Sequence, residues 1–495
     1  MSLRSIHALK VGAALSLAVL PLLSTSAGQA SAPEQSSHAS SDPALAGLDD
    51  FIDGAMATHI ANREVAGAAI AVVAGGRILF AKGYGYADVE RAIPVQAETT
   101  LFRPGSVSKL VTWTALMQQV EQGRVKLDAD VNRYLDFRIP DTMKRPIRVR
   151  DLLSHSPGFE DQEGISAATP ADLVPLGQWL RTNIPRRVRE PGEEIAYSNY
   201  GTALAGYIVE RVSGEPFADY VDRHIFVPLG MSSSTFREPL PPDWERRMAR
   251  GYKLEDGRFA ARPFELYGNV MPAGSMTATA TDMARFAIAH LQDGGYGGAR
   301  ILKPATARAM RERTFANSPS LPGFAHGFME VRTAGPRLLA HGGNTDDFHS
   351  FLLLAPERNI GLFVSMTGGD GSYEARTELV DAIVGRLFPQ VRAPAWNGPA
   401  GKFEQGSYRS NRRVYSAPAD PANDVKVRRS GERGLVTEAG GKTVHWEQVG
   451  SRRYRRVTGA RPAGPFDLLE FSGQGAETRL SFASQPHVLY RLVQR

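Results

Sequence analysis

The sequence predicts an α+β protein: an antiparallel sheet built from both ends of a long first domain with a helical block inserted, then a small antiparallel β domain whose segments suit a sandwich or a barrel and which is read as a barrel. Three observations predict it. Strand-like runs bracket a helix-patterned middle. A Pro/Gly-rich stretch without periodicity, PQVRAPAWNGPAG at 389–401, interrupts the chain. Beyond it the texture changes to short alternating segments separated by turn residues. With 495 residues, 42% hydrophobic and 22% charged, the chain has length for more than one domain and apolar content for a large core, which excludes a disordered charged polymer.

In chain order, the first element stands outside the fold. Arg4, His7 and Lys10 precede an apolar run from Val11 to Leu23, broken by Pro21 and followed by Ala30-Ser31-Ala32. A basic start, a short apolar stretch and an A-x-A site make residues 1–32 a signal peptide. The mature chain, beginning near Pro33, is expected to be exported, either periplasmic or secreted. The run is shorter than the roughly 20 residues a membrane helix needs, and no later segment is long and apolar enough to span. A cysteine count of zero excludes a disulfide scaffold, thiolate-ligated zinc, an iron–sulfur cluster, a thiol nucleophile and a Cys-linked lipid anchor.

The first folded domain is placed at residues 45–390. Residues 51–63 carry a helical pattern, and Ala68–Ala74 and Arg77–Gly83 read as strands joined by Gly75-Gly76, a hairpin signal. Helices follow: Ser108–Glu121 stopped by Gly123, Tyr200–Val212 stopped by Gly214, and Asp282–Gln292 capped by Thr281 and stopped by Gly294. Strands return at Gly327–Val331, Leu338–Ala340, Ser350–Leu354 and Ile360–Ser365. The linker is placed at 391–401 and the β domain at 402–495, with strands at Asp424–Arg428, Thr443–Val449, Asp467–Phe471 and Thr478–Phe482.

The net charge of +6 is unevenly spread. Residues 399–495 hold 17 basic against 9 acidic residues, whereas residues 33–398 are slightly acidic. An anionic cell-envelope surface is one partner for such a face; a solvated basic face is the blander and favoured reading. Nothing points to nucleic acid, and oligomeric state is not legible.

The chemistry starts at one helix opening. In Gly105-Ser106-Val107-Ser108-Lys109, Ser106 and Lys109 stand three residues apart on one face of an amphipathic helix, so hydroxyl and amine can meet. A serine hydroxyl needs a base to take its proton, and a lysine serves if burial or nearby positive charge lowers its proton affinity. The helix N-terminus adds positive potential for the anion formed on attack. Alone, S-x-x-K is equally a helix cap followed by an exposed lysine. Its company changes the reading. Tyr197-Ser198-Asn199 precedes the helix at Tyr200, and His341-Gly342-Gly343-Asn344 ends a late strand.

S-x-x-K, then Y-x-N, then a basic residue with x-G on a late strand is the motif order of the penicillin-binding proteins and class C-type β-lactamases. Over roughly residues 45–390 the chain resembles that serine hydrolase family, including Leu152-Leu153-Ser154-His155-Ser156-Pro157-Gly158 and Pro228-Leu229-Gly230-Met231. The resemblance implies a β-lactamase/transpeptidase-like fold and no cofactor or metal. It implies that Ser106 is the acylated nucleophile, Lys109 its base and Tyr197 the second proton carrier. Asn199, His341 and Gly343 would bind and orient substrate, and the backbone N–H groups of Ser106 and Asn344 would form the oxyanion hole. Glycines at 342 and 343 would let the backbone approach the acyl group.

His341 departs from the family, whose β-lactamases carry lysine there. Histidine is mostly neutral at pH 7, so a cation for a substrate carboxylate is lacking. Members with histidine resemble D-aminopeptidases, D-amino acid amidases and esterases, so a small peptide, amide or ester is the expected substrate. A class C-type β-lactamase and a non-catalytic envelope binding module are the alternatives. His155 reads as a loop stabiliser. Gly440-Gly441-Lys442-Thr443 lacks the first glycine of a P-loop, since Val436 stands there, and Arg133 stands where a calcium loop begun at Asp128 needs glycine. The C-terminal segment resembles the lipocalin-like β domain of some members.

Overall fold

The computed structural model describes residues 42–332, 336–389, 396–457 and 468–493. The expected signal peptide at 1–32 and the first part of the expected linker lie outside the described residues. A seven-stranded antiparallel sheet is formed by β1 (Gly67–Ala74), β2 (Arg77–Asp88), β3 (Ile93–Pro94), β4 (Met329–Arg332), β5 (Arg337–Asn344), β6 (Phe348–Ala355) and β7 (Ile360–Thr367), in the order β4-β5-β6-β7-β1-β2-β3. The two chain ends meet where β1 pairs with β7, Gly67 opposite Thr367. Gly75 and Gly76, at φ 60° and 79°, make the tight turn between β1 and β2, because a two-residue hairpin of this hand needs positive φ.

All of β1 is buried, and its alternation sorts the two faces. Ala69, Ala71 and Val73 join the core shared with the helical block, while Ala68, Ile70, Val72 and Ala74 join the core under α1 (Leu48–Ala61) and a C-terminal helix at Asp370–Leu387. A sheet covered on both faces explains why its central strands are continuous apolar runs.

Three helices of the block place the site. α2 (Lys109–Glu121) follows a 3-10 turn, Gly105–Ser108; α3 is Asn199–Ser213 and α4 is Ala280–Leu291. The helix expected over Ser108–Glu121 is present as α2, with two differences. Ser106 lies in the 3-10 turn, and α2 is buried on every side from Lys109 to Gln119. Polar residues that read as a solvent face are satisfied internally: Thr112 donates to the Pro272 carbonyl at 2.7 Å and Gln118 to that of Ile301 at 2.8 Å. The cap of α4 is Thr279, whose hydroxyl accepts the Asp282 N–H at 3.2 Å, rather than Thr281. Gly214, at φ 76°, ends α3 as expected.

The C-terminal strands close into an eight-stranded antiparallel barrel running from Gly406–Ser410 to Tyr490–Leu492. Tyr408, Leu435, Trp446, Tyr454, Leu469 and Phe471 are buried together as its apolar core. Gly440-Gly441 is a hairpin turn between paired strands, with Ala439 opposite Lys442.

Candidate active site

The 3-10 turn sets Ser106 and Lys109 side by side. Lys109 Nζ donates to Ser106 Oγ at 2.9 Å and also to the Ala273 carbonyl. Lys109 is fully buried. Burial is the main force holding its proton affinity well below the ordinary lysine value, the Arg412 guanidinium adds to it, and the Asp161 carboxylate opposes. A neutral amine is a base, so the same contact can carry the Ser106 proton to Nζ.

The turn is wedged against the end of β5. A Cβ on Gly343 would lie 1.9 Å from the Pro104 carbonyl oxygen, and Gly105, at φ 54°, faces the Asn344 N–H. The two glycines expected to let the backbone approach the acyl group differ in their packing. Gly343 is required by its contact with the turn that carries Ser106, whereas a Cβ on Gly342 would meet Arg376 at 3.5 Å and the Phe351 ring at 3.7 Å, both ordinary contacts.

Tyr197 stands on an irregular segment ahead of α3, and its three successive amides are held from outside that segment. Ala196 donates to the His155 carbonyl at 2.9 Å, Tyr197 to the His487 carbonyl at 3.0 Å, and Ser198 to His155 Nδ1 at 3.2 Å. The Tyr197 ring is stacked on His155, and Lys109 Nζ lies 5.0 Å from its centroid. Burial raises the phenol's proton affinity, while the nearby Ser106 hydroxyl and Arg412 pull it down. Ser106 is thus close to Tyr197 Oη without the alignment of a hydrogen bond, and Oη is a buried oxygen with no such partner.

His341 is buried at 1% exposure. Its Nδ1–H donates to the Gly342 carbonyl at 2.6 Å, which leaves Nε2 as the free acceptor. Burial, with Lys109 nearby, drives its proton affinity down to about 3, so the ring is neutral at pH 7. Asn199 opens α3, capped by Ser198, whose hydroxyl accepts the Gly201 N–H at 3.0 Å.

Ser106, Asn199 and Asn344 line one cavity of about 190 Å³, together with Tyr267, Ala273 and Gly274. Its size suits the reacting end of a substrate. A larger cavity of about 640 Å³ lies elsewhere, beside Asp88 and Arg247, and holds none of these residues. Among the described residues no group of three or more His, Cys, Asp or Glu side chains is arranged to hold a metal ion. Sequence reasoning missed the contacts to Tyr197 made by His155, Arg412 and His487; only His155 carried a signal, through its family block.

A family model described as Beta-lactamase matches residues 48–385. Among curated proteins, Protein flp of Staphylococcus aureus strain N315 is 24% identical over 329 residues, 63% of this chain and 62% of its own. The chain spans less than two thirds of the length of the first curated relatives it matches. Among solved structures, the octameric penicillin-binding protein homologue from Pyrococcus abyssi aligns with TM-score 0.60 at 22% identity over 90% of this chain and all of its own. The D-amino acid amidase from Ochrobactrum anthropi aligns with TM-score 0.55 at 26% identity, over 69% of this chain and 97% of its own.

Proposed function

This chain belongs to the beta-lactamase family, and on that footing we propose that it is an exported serine hydrolase that cleaves amide or ester bonds through an acyl-enzyme on Ser106. The substrates proposed are small D-amino-acid peptides or amides, or small esters. One observation carries the reading: a fully buried Lys109, its proton affinity held well below the ordinary lysine value by burial, sits 2.9 Å from the Ser106 hydroxyl.

In the proposed reaction Ser106 Oγ attacks the substrate carbonyl carbon as its proton passes to Lys109 Nζ. The carbonyl oxygen becomes an oxyanion facing the Ser106 and Asn344 N–H groups. Collapse breaks the bond to the leaving amine or alcohol, which takes a proton through Tyr197 and Lys109. Water then gives its proton to the same pair, attacks the acyl carbon and releases the acid, returning the proton to Ser106. Asn199 and Gly343 orient the acyl group beside the cavity.

The neutral His341 favours this reading over a β-lactamase, because a ring without charge gives no cation for a substrate carboxylate. The likeness to a D-amino acid amidase supports an amide substrate. The barrel is read as lipocalin-like, and its buried aromatic core supports a structural part. Arg409, Arg428 and Arg455 pair with Asp424, Glu438 and Glu447, so part of the barrel's basic charge is compensated locally, which favours a solvated face.

A panel of nitrocefin, D-alanine p-nitroanilide and a p-nitrophenyl ester tests the proposal. Turnover of the amide or the ester, lost in Ser106→Ala, is expected, with nitrocefin turned over poorly. Failure to turn over any of the three, with cell-wall peptides still bound, would move the protein to the class of non-catalytic binders.

A further inference from the structure

We infer that the barrel completes the catalytic site through Arg412, whose guanidinium braces the Tyr197 ring and supplies the positive charge that Lys109 faces. The inference rests on the acyl-enzyme reading and adds a positioning residue to it. Arg412 lies in the loop after the first barrel strand, Gly406–Ser410. Its guanidinium carbon is 4.9 Å from the Tyr197 ring centroid, and its Nε is 2.9 Å from Asp161 Oδ2.

The loop is fastened on both sides of Arg412. Asn411 Nδ2 donates to the Ile195 carbonyl at 3.0 Å and to Glu194 at 3.2 Å, and the Arg413 carbonyl accepts the Asp161 N–H at 3.0 Å. A second barrel turn brings His487, whose carbonyl holds the Tyr197 amide and whose ring stands edge-on to the phenol at 5.9 Å. Tyr197 belongs to no helix or strand. Its main chain and one side of its ring are therefore positioned by a domain that shares no sheet with the nucleophile.

The groups around Lys109 decide the electrostatics. Ser106 faces it from its own turn, His155 and Tyr197 from the helical block, His341 from β5, Asp161 from the loop below, and Arg412 and His487 from the barrel. The histidines near Lys109 are buried bases whose proton affinity is pushed down, so they are neutral at pH 7. Arg412 and Asp161 remain as the two charges, of opposite sign and in contact. Removing the first should raise the pH at which Lys109 loses its proton, and removing the second should lower it. A merely structural role for this ion pair gives no such opposition.

The test titrates Lys109 directly, by NMR of the full chain carrying 13C at lysine Cε, its resonance identified by loss in Lys109→Met. Arg412→Gln is expected to move the midpoint up by roughly 0.5–1 pH unit, Asp161→Asn to move it down, and Arg412→Lys to leave it near wild type. Midpoints that do not move, or that move in the same direction, would overturn the inference. If Arg412→Gln does not fold, the sign for Asp161→Asn decides alone. The readout needs no turnover, so opposite shifts in a protein that hydrolyses nothing would sink the hydrolase reading and leave the role of Arg412 standing.

Discussion

The imidazole of His155 lies flat against the phenol of Tyr197, ring centroids 4.2 Å apart and planes 20° from parallel. The same residue takes the amide protons of Ala196 and Ser198, so its loop-stabilising role and its support of Tyr197 are one role. His155→Ala would remove the stack and leave the buried Ser198 N–H unpaired, a loss of about 2–4 kcal/mol in stability. The expected outcome is a lower melting temperature and a kcat reduced at least tenfold with KM little changed, read by thermal melts and steady-state kinetics.

Gly342 and Gly343 should part company under the same substitution. Gly343→Ala forces a Cβ against the Pro104 carbonyl and displaces the nucleophile turn, so activity is expected to fall by more than a hundredfold or the protein to misfold. Gly342→Ala meets only ordinary contacts and should keep activity within a few-fold. Equal losses in both would contradict the packing described for β5.

Lys109 should cost the fold stability while serving the chemistry. Burial holds the proton affinity of Lys109 in the folded chain well below that in the unfolded chain, so unfolding takes up a proton and the penalty shrinks as pH rises toward the ordinary value of 10.5. Lys109→Met removes that penalty and a donor to Ser106 and Ala273. Its acylation rate should fall by orders of magnitude while its melting temperature rises by roughly 2–4 °C. Differential scanning calorimetry at pH 7 checks the second half.

Acid should destabilise the protein well above carboxylate pH. His290, His341 and His487 are held down to about 3 and His349 to about 4 by burial, against 6.5 for a free histidine. As pH falls below about 6.5 the unfolded chain takes up these protons and the folded chain does not. Each group then removes about 1.4 kcal/mol per pH unit until its folded value is reached. Asp347, raised to about 6 chiefly by burial, works the other way below that pH, but as one group against several. Urea midpoints should fall more steeply per pH unit from 6 to 4.5, where several buried histidines act together, than from 8 to 7, where Lys109 alone contributes; a midpoint at 5 equal to that at 6.5 would contradict the burial of these rings.

How much was legible follows from distance along the chain. Ser106 and Lys109 meet within one turn, and Gly75-Gly76 makes its hairpin from two residues, so local chemistry suffices for both. The alternation of the C-terminal strands was readable and the barrel expected from it is there, but its strand count and the pairing of the first strand with the last were not, because these are set by shear and tilt over the whole sheet. The burial of α2 was hidden by Thr112, Thr114, Gln118 and Gln119, whose partners lie far off in sequence. Arg412 and His487 were invisible as site residues for the same reason: nothing near them in sequence says which loop they touch.

The central claim is that Ser106 is a nucleophile activated by the amine beside it. Intact-mass spectrometry after treatment with a fluorophosphonate tests it most directly. A single adduct is expected on wild type, mapped to Ser106, absent in Ser106→Ala and formed orders of magnitude more slowly in Lys109→Ala. A folded wild type that stays unmodified while a control serine hydrolase reacts, or an adduct that persists in Ser106→Ala, would contradict it.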